Sequence, residues 1–194
     1  MSLHRRDVVK ALLADRGDLL VVAGLGSAAW DCTAAGDHPL TFPMWGAMGC
    51  AAMTGLGLAL AQPARRVLVI TGDGEMLMGL GSLATIGVQR VANLGVVVLD
   101  NERYGETGMQ QTHTAHGVDL AAIARGACFA SSVTVRDAAG VEALRRAVHH
   151  APGPWLAQVK VAAEKIPLVL PPREGALLKN RFREALLGAS AALQ

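Results

Sequence analysis

Two short apolar runs constrain this chain more than any other feature. Val67-Leu68-Val69-Ile70 and Val96-Val97-Val98-Leu99 are β-branched or leucine throughout, with no polar residue inside either. Such runs suit strands buried on both faces, as in a parallel sheet covered by helices on each side. The first leads into Gly72-Asp73-Gly74 and the second into Asp100-Asn101. Parallel neighbours deliver their carboxyl ends to one edge, where open α/β sheets bind ligands. The expected fold class is therefore α/β, three layers with a parallel sheet flanked by helices.

Gly72 and Gly74 let the backbone turn sharply around Asp73 and approach a ligand closely. A helical pattern is read from about Gly79 to Arg90, which would aim free N–H groups at an anion. The Asp73 carboxylate, the Asn101 amide oxygen, backbone carbonyls and phosphate oxygens together make a six-oxygen set that suits Mg²⁺. The pattern points to a diphosphate held through a cation.

These residues resemble the thiamine-diphosphate enzymes, where a Gly-Asp-Gly is followed, after an interval of two to three dozen residues, by an Asn-Asn or similar pair. Here residues 75–100 form the interval, Asn101 takes the metal-binding position, and Asp100 departs from the more usual first Asn. The resemblance implies thiamine diphosphate as cofactor, with Mg²⁺ bound by Asp73, Asn101 and the backbone carbonyl of Arg103. It implies further cofactor contacts from Gly72, Gly74, Tyr104 and Gly105. Glu75 is expected to offer its backbone N–H, since a second carboxylate beside a diphosphate is repelled. By the same resemblance the Gly46 carbonyl accepts a hydrogen bond from the cofactor's amino group, and Met48 wedges between its two rings. Methionine suits a wedge because it adapts its shape.

The 194 residues suit one domain, 1–194, with a tail helix at about 173–188. The net charge of +2, without an interleaved aromatic platform, argues against nucleic acid and against an anionic membrane surface. Cys32, Cys50 and Cys128 contain no CxxC pair and read as buried thiols of a reducing cytoplasm. The N-terminal residues lack an apolar signal core, and no apolar run reaches membrane-spanning length. The expected location is cytoplasmic.

Along the chain, residues 4–16 carry Val8, Val9, Leu12 and Leu13 on one helical face. A strand from Leu19 to Ala23 follows, and then Gly24-Leu25-Gly26-Ser27-Ala28-Ala29, which matches the dinucleotide fingerprint GxGxxG/A. That fingerprint asks for an acid about twenty residues on. The position falls in Thr41-Phe42-Pro43-Met44, which has none, so a tight strand-to-helix turn is the preferred reading. Residues 36–43 read as loop, and a helix of small residues runs to about Ala61, with Gly55 and Gly57 implying close packing. Met76-Leu77-Met78-Gly79-Leu80 reads as a covered apolar loop. Residues 106–116 form a long polar segment without periodicity, the kind of loop that is usually functional. His113 is its candidate acid or base toward substrate, ahead of His116. A short helix from Asp119, a strand over 128–135, a helix capped by Asp137 and a strand over 155–161 complete the expected alternation. An extended tail over 166–172 and a last helix over 173–187 follow.

The resemblance covers nearly the whole chain but corresponds to one domain of the family. It implies that a separate pyrimidine-binding subunit supplies the catalytic Glu, so the chain works as a homodimer or hetero-oligomer. The segments Leu83 to Gly87, Asp100-Asn101 and Thr107-Gly108 resemble most the diphosphate-binding subunits of sulfopyruvate and phosphonopyruvate decarboxylases. The implied reaction is non-oxidative decarboxylation of a small 2-oxo acid, with Arg103, Gln110, Gln111 and His113 as candidate substrate contacts. An acetolactate-synthase-like carboligase, a 2-oxo acid oxidoreductase subunit, a non-catalytic cofactor-binding module and a dinucleotide-binding protein stay open as alternatives.

Overall fold

The computed structural model describes residues 2–189. Its elements alternate broadly between helix and strand. Helix α1 (Arg5–Leu12) leads to β1 (Leu20–Ala23), α2 (Ser27–Ala34), β2 (Thr41–Pro43) and α3 (Ala51–Ala61). Then come β3 (Val67–Gly72), α4 (Asp73–Met78), α5 (Ser82–Gln89) and β4 (Leu94–Asp100). A small hairpin, β5 (Arg103–Tyr104) with β6 (Gln110–Gln111), precedes a 3₁₀ turn at His113–His116. The chain closes with α6 (Leu120–Gly126), β7 (Ser131–Val135), α7 (Ala138–His150), β8 (Trp155–Lys160) and α8 (Gly175–Leu187).

Six strands form one parallel sheet in the order β2-β1-β3-β4-β8-β7. The period-2 alternation of a strand sends successive side chains to opposite faces, and here both faces are dry. Val21, Ala23, Leu68, Ile70, Val97 and Leu99 join the core under α1, α2 and α7. Leu20, Val22, Val67, Val69, Val96 and Val98 join the core under α3, α5 and α6. This is why β3 and β4 read as continuous apolar runs.

Several local expectations are corrected. Thr41-Phe42-Pro43 is an edge strand paired with β1 rather than loop; a proline suits an edge, where its missing N–H costs no ladder bond. The covered loop expected after Asp73 is instead a short helix that starts at Asp73 itself, with Met76 buried, and α5 begins only at Ser82. Strand β7 starts at Ser131, because residues 127–128 form a turn in which Cys128 has a left-handed φ of 66°. Only Cys32 is buried; Cys50 and Cys128 are exposed. Burial pushes the Cys32 thiol up to about 12, so it is an inert core residue. Of the two glycines in α3, Gly55 lies against Val69, where a Cβ would come within 2.2 Å of Cγ2, while Gly57 faces open space. No described helix is long and apolar enough to cross a membrane.

The chain leaves β1 toward β2 on one side and returns to β3 on the other. The carboxyl ends of β1 and β3 therefore flank a topological switch point, the place where such sheets open a crevice.

Candidate cofactor site at the strand tips

The crevice is a cavity of about 230 Å³. Its walls come from three turns: Leu25, Ser27 and Ala28 after β1, Gly72 to Glu75 after β3, and Asn101 with residues 103–107 after β4. Met48, Leu99, Val161 and Arg5 complete it. Of the residues expected from sequence, Met48, Gly72, Asp73, Gly74, Glu75, Asn101, Arg103, Tyr104 and Gly105 line this one space. Gly46 and His113 do not. His113 is exposed, and it is its neighbours Thr112 and Thr114 that turn inward. Gln110 and Gln111 are likewise exposed on the hairpin.

Asp73 is almost fully buried at the start of α4. Its Oδ2 accepts from the Thr112 hydroxyl at 2.5 Å and has the Thr114 hydroxyl at 3.2 Å. Burial pushes its carboxyl up to about 6, assisted by the nearby charge of Asp100 and opposed by the two threonine hydroxyls and its own backbone. An anion held in such a place gains from a cation. Asn101 sits across the cavity in an Asx turn, its Oδ1 accepting from the Arg103 N–H at 3.0 Å with a second lone pair left over. Gly74 is required here, because a Cβ would stand 2.5 Å from the Tyr104 ring.

Glu75 does not behave as a solvent-facing acid. Its carboxylate turns into the protein and accepts from the Thr71 hydroxyl at 2.7 Å. Burial raises its pKa, while the Thr71 hydroxyl and the N–H groups of Gly49, Ala51 and Leu25 favour the charge. Its Oε1 completes no hydrogen bond, so those N–H groups act as nearby dipoles rather than full partners. Glu75 thus sits between the β1 turn and the loop before α3. That loop brings Met48 to the cavity through Ala47, which has a left-handed φ of 57°.

Two features of the site were not legible in the sequence. The Gly24–Ala28 turn, read there as a plain strand-to-helix connection, lines the same cavity as the Gly-Asp-Gly turn. Arg5, from the first helix, is buried against the cavity wall, bonded to Asp31 and reaching the Ser27 carbonyl at 3.3 Å. Asp31 is also held by Arg6 at 3.1 Å; burial raises its pKa and the two guanidinium groups oppose that rise. Two arginines thus balance the buried aspartate beside a cavity whose lining also carries Asp73, Glu75, Arg103 and Glu106. Only the inward period of α1 at Arg5, Val8, Val9 and Leu12 could have hinted at this.

Among the described residues no group of three or more His, Cys, Asp or Glu side chains could hold a metal ion. A cation at the strand tips therefore needs amide, carbonyl and ligand oxygens beside Asp73, a donor set that fits a hard ion such as Mg²⁺.

Comparison with known proteins places the chain in a family. Residues 26–159 match the family model described as thiamine pyrophosphate enzyme, C-terminal TPP binding domain. The chain is 35% identical over 190 residues to the sulfopyruvate decarboxylase subunit beta of Methanocaldococcus jannaschii, covering 94% of this chain and 96% of that one. It is 46% identical over 107 residues to the phosphonopyruvate decarboxylase of Streptomyces viridochromogenes, covering 55% of this chain and 26% of that protein. The benzoylformate decarboxylase of Polynucleobacter necessarius shares the fold, with a TM-score of 0.71 at 19% identity over 87% of this chain and 35% of that one. The chain belongs to the thiamine pyrophosphate enzyme family, of which it forms the C-terminal, TPP-binding domain.

Proposed function

We propose that the chain is the diphosphate-binding subunit of a decarboxylase for a small 2-oxo acid bearing a sulfonate or phosphonate tail. The observation that carries this reading is the near end-to-end match to a protein named a decarboxylase beta subunit. In the proposal Mg²⁺ is held by Asp73, Asn101 and the backbone carbonyl of Arg103, together with diphosphate oxygens. Gly72, Gly74, Glu75, Tyr104 and Gly105 line the diphosphate's path, and Ser27 and Ala28 at the start of α2 line the same cavity. The lining carries Arg5 and Arg103 against the carboxyl groups of Asp73, Glu75 and Glu106, so a polyanion there needs a cation beside it. Met48 supports the bent cofactor from its apolar side. When bound, thiamine diphosphate supplies an electron sink for the loss of CO₂ from a 2-oxo acid.

The chain's own residues bind and orient; the Glu that activates the cofactor comes, in this reading, from a separate pyrimidine-binding subunit. His113, exposed on the 3₁₀ turn, reaches substrate only if that partner closes the site over it. Among the candidate substrate contacts, Arg103 is the one that lines the cavity. A cytoplasmic location suits the exposed free thiols of Cys50 and Cys128.

The test is CO₂ release from sulfopyruvate and from phosphonopyruvate by the chain with and without its partner subunit, with Mg²⁺ and thiamine diphosphate present. The expected result is release by the pair and none by the chain alone. Formation of acetolactate from pyruvate by the pair would move the assignment to a carboligase.

A further inference from the structure

Asp100 stands where the family resemblance leads one to expect an asparagine, and it is fully buried. Its burial is made tolerable by the neighbouring strand. The register of β4 on β8 sets Asp100 opposite Lys160 and Val98 opposite Gln158. Residues two apart along β8 share a face, so both reach it: Oδ2 accepts from Gln158 Nε2 at 2.5 Å and from Lys160 Nζ at 2.7 Å. Oδ1 accepts from the Glu102 N–H at 3.0 Å and from the Thr114 hydroxyl at 2.7 Å.

Thr114 in turn touches Thr112, with 2.9 Å between the two hydroxyl oxygens, and both lie within reach of Asp73 Oδ2. Each hydroxyl carries one proton, so the contacts cannot all be donations at once. Asp100, held by four donors, takes the Thr114 proton at 2.7 Å, and the Thr112 proton then goes to Asp73 at 2.5 Å. Thr112 and Thr114 are both buried in a segment whose other residues are mostly exposed. Burying hydroxyls costs free energy that apolar side chains of the same shape would avoid. The return on that cost is orientation, since one oxygen of Asp73 is tied while Oδ1 takes no side-chain donor.

We propose that Thr112, Thr114 and Asp100 are positioning residues for Asp73, a relay through the 3₁₀ turn itself: Thr114 pins the turn to Asp100 at the tip of β4, and Thr112 at the start of that turn donates to Asp73 Oδ2 and leaves Oδ1 to face the cation. This rests on the Mg²⁺–diphosphate reading above. Groups that orient a metal ligand typically change metal affinity by roughly 10–100-fold when removed, and that range sets the expected effect here.

The test uses the full chain with thiamine diphosphate in excess, Mn²⁺ as the probe and free Mn²⁺ read by electron paramagnetic resonance, beside urea unfolding of the cation-free protein. Thr114→Val removes the hydroxyl at nearly constant shape, and Thr114→Ser restores it. The relay predicts a Mn²⁺ dissociation constant about tenfold or more higher in Thr114→Val, recovered in Thr114→Ser. Asp100→Asn keeps an acceptor for Thr114 while removing the charge that Lys160 balances, and its Mn²⁺ constant falls between those of Thr114→Ser and Thr114→Val. If Thr114→Val lowers only the urea midpoint and leaves the constant of the folded protein unchanged, or if Thr114→Ser falls as far as Thr114→Val, the relay is refuted and the threonines are packing residues. If the wild-type chain binds no Mn²⁺ in the presence of thiamine diphosphate, the cation reading itself falls and the relay with it.

Discussion

The turns after β1 and β3 look alike in sequence and differ in what surrounds them. Both follow an apolar parallel strand, both are glycine-rich, both precede a helix, and both open into the same cavity. Gly24 to Ala29 matches a dinucleotide fingerprint, whereas Gly72-Asp73-Gly74 is by itself an unremarkable turn. Yet the second carries the chemistry-bearing side chain, paired with Asn101 from the next strand. The first contributes backbone and empty space, and that space is filled by carboxylates from elsewhere. A Cβ on Gly24 would lie 2.0 Å from Glu75 Oε2, and one on Gly26 would lie 1.5 Å from Glu106 Oε1. A glycine pattern therefore states that something approaches closely without saying what approaches.

The sharpest break between the two turns is pH. Only the β3 turn presents a carboxylate for a cation, and burial holds its pKa up to about 6. Cation affinity should fall about tenfold for each pH unit below that value, as protons compete for Asp73. The sign for stability is opposite in the cation-free chain. A raised carboxyl pKa means the folded state holds its proton more tightly than the unfolded state, so Asp73's contribution is present below about 4 and is lost as pH rises toward 6. Titration calorimetry across this range checks the first statement and urea unfolding without cation checks the second. A flat affinity profile would remove Asp73 from the cation site.

Filling the β1 turn tests the claim that its role is room. Gly24→Val should destabilise the chain by about 1–3 kcal/mol, the usual range for overpacking. Combining it with Glu75→Ala should recover part of that loss, because the clashing oxygen is gone. Additive effects in a double-mutant cycle would mean that the two turns do not press on each other.

A glycine outside both turns supplies the smallest effect. Gly57 lies in α3 with nothing within 4 Å of a built Cβ, so Gly57→Ala should stabilise by about 0.5–1 kcal/mol. Gly55→Ala, one helical face away and pressed on Val69, should destabilise instead. Thermal denaturation of the pair separates glycine kept for packing from glycine kept by default.

These contrasts explain what could be read in advance. Strands β3 and β4 were legible because their burial on both faces leaves an uninterrupted apolar run, and the polar tips then point to one sheet edge. The Asp119 and Asp137 caps were legible as local chemistry, and each side chain accepts from a backbone N–H three residues on. Strand β2 was not legible, since three residues ending in proline carry no period. Helix α4 was not legible because its first residues are those of a turn and its apolar residues follow no helical spacing. The contacts that shape the site lie beyond any local pattern. Thr112 reaches Asp73 across 39 positions, and Arg5 reaches Asp31 across 26. His113 drew attention as the titratable residue of a polar loop, while the inward side chains of that loop are the two threonines beside it.

The account stands on the tips of β3 and β4 forming one cation-dependent diphosphate site. Its most direct test is the thermal stability of the chain with Mg²⁺ alone, thiamine diphosphate alone and both together, in the wild type and in Asp73→Ala. The expected result is stabilisation only with both ligands, about 2.7 kcal/mol at one hundred times the dissociation constant, and none in Asp73→Ala. Equal stabilisation by thiamine diphosphate without a cation, or in Asp73→Ala, would contradict it.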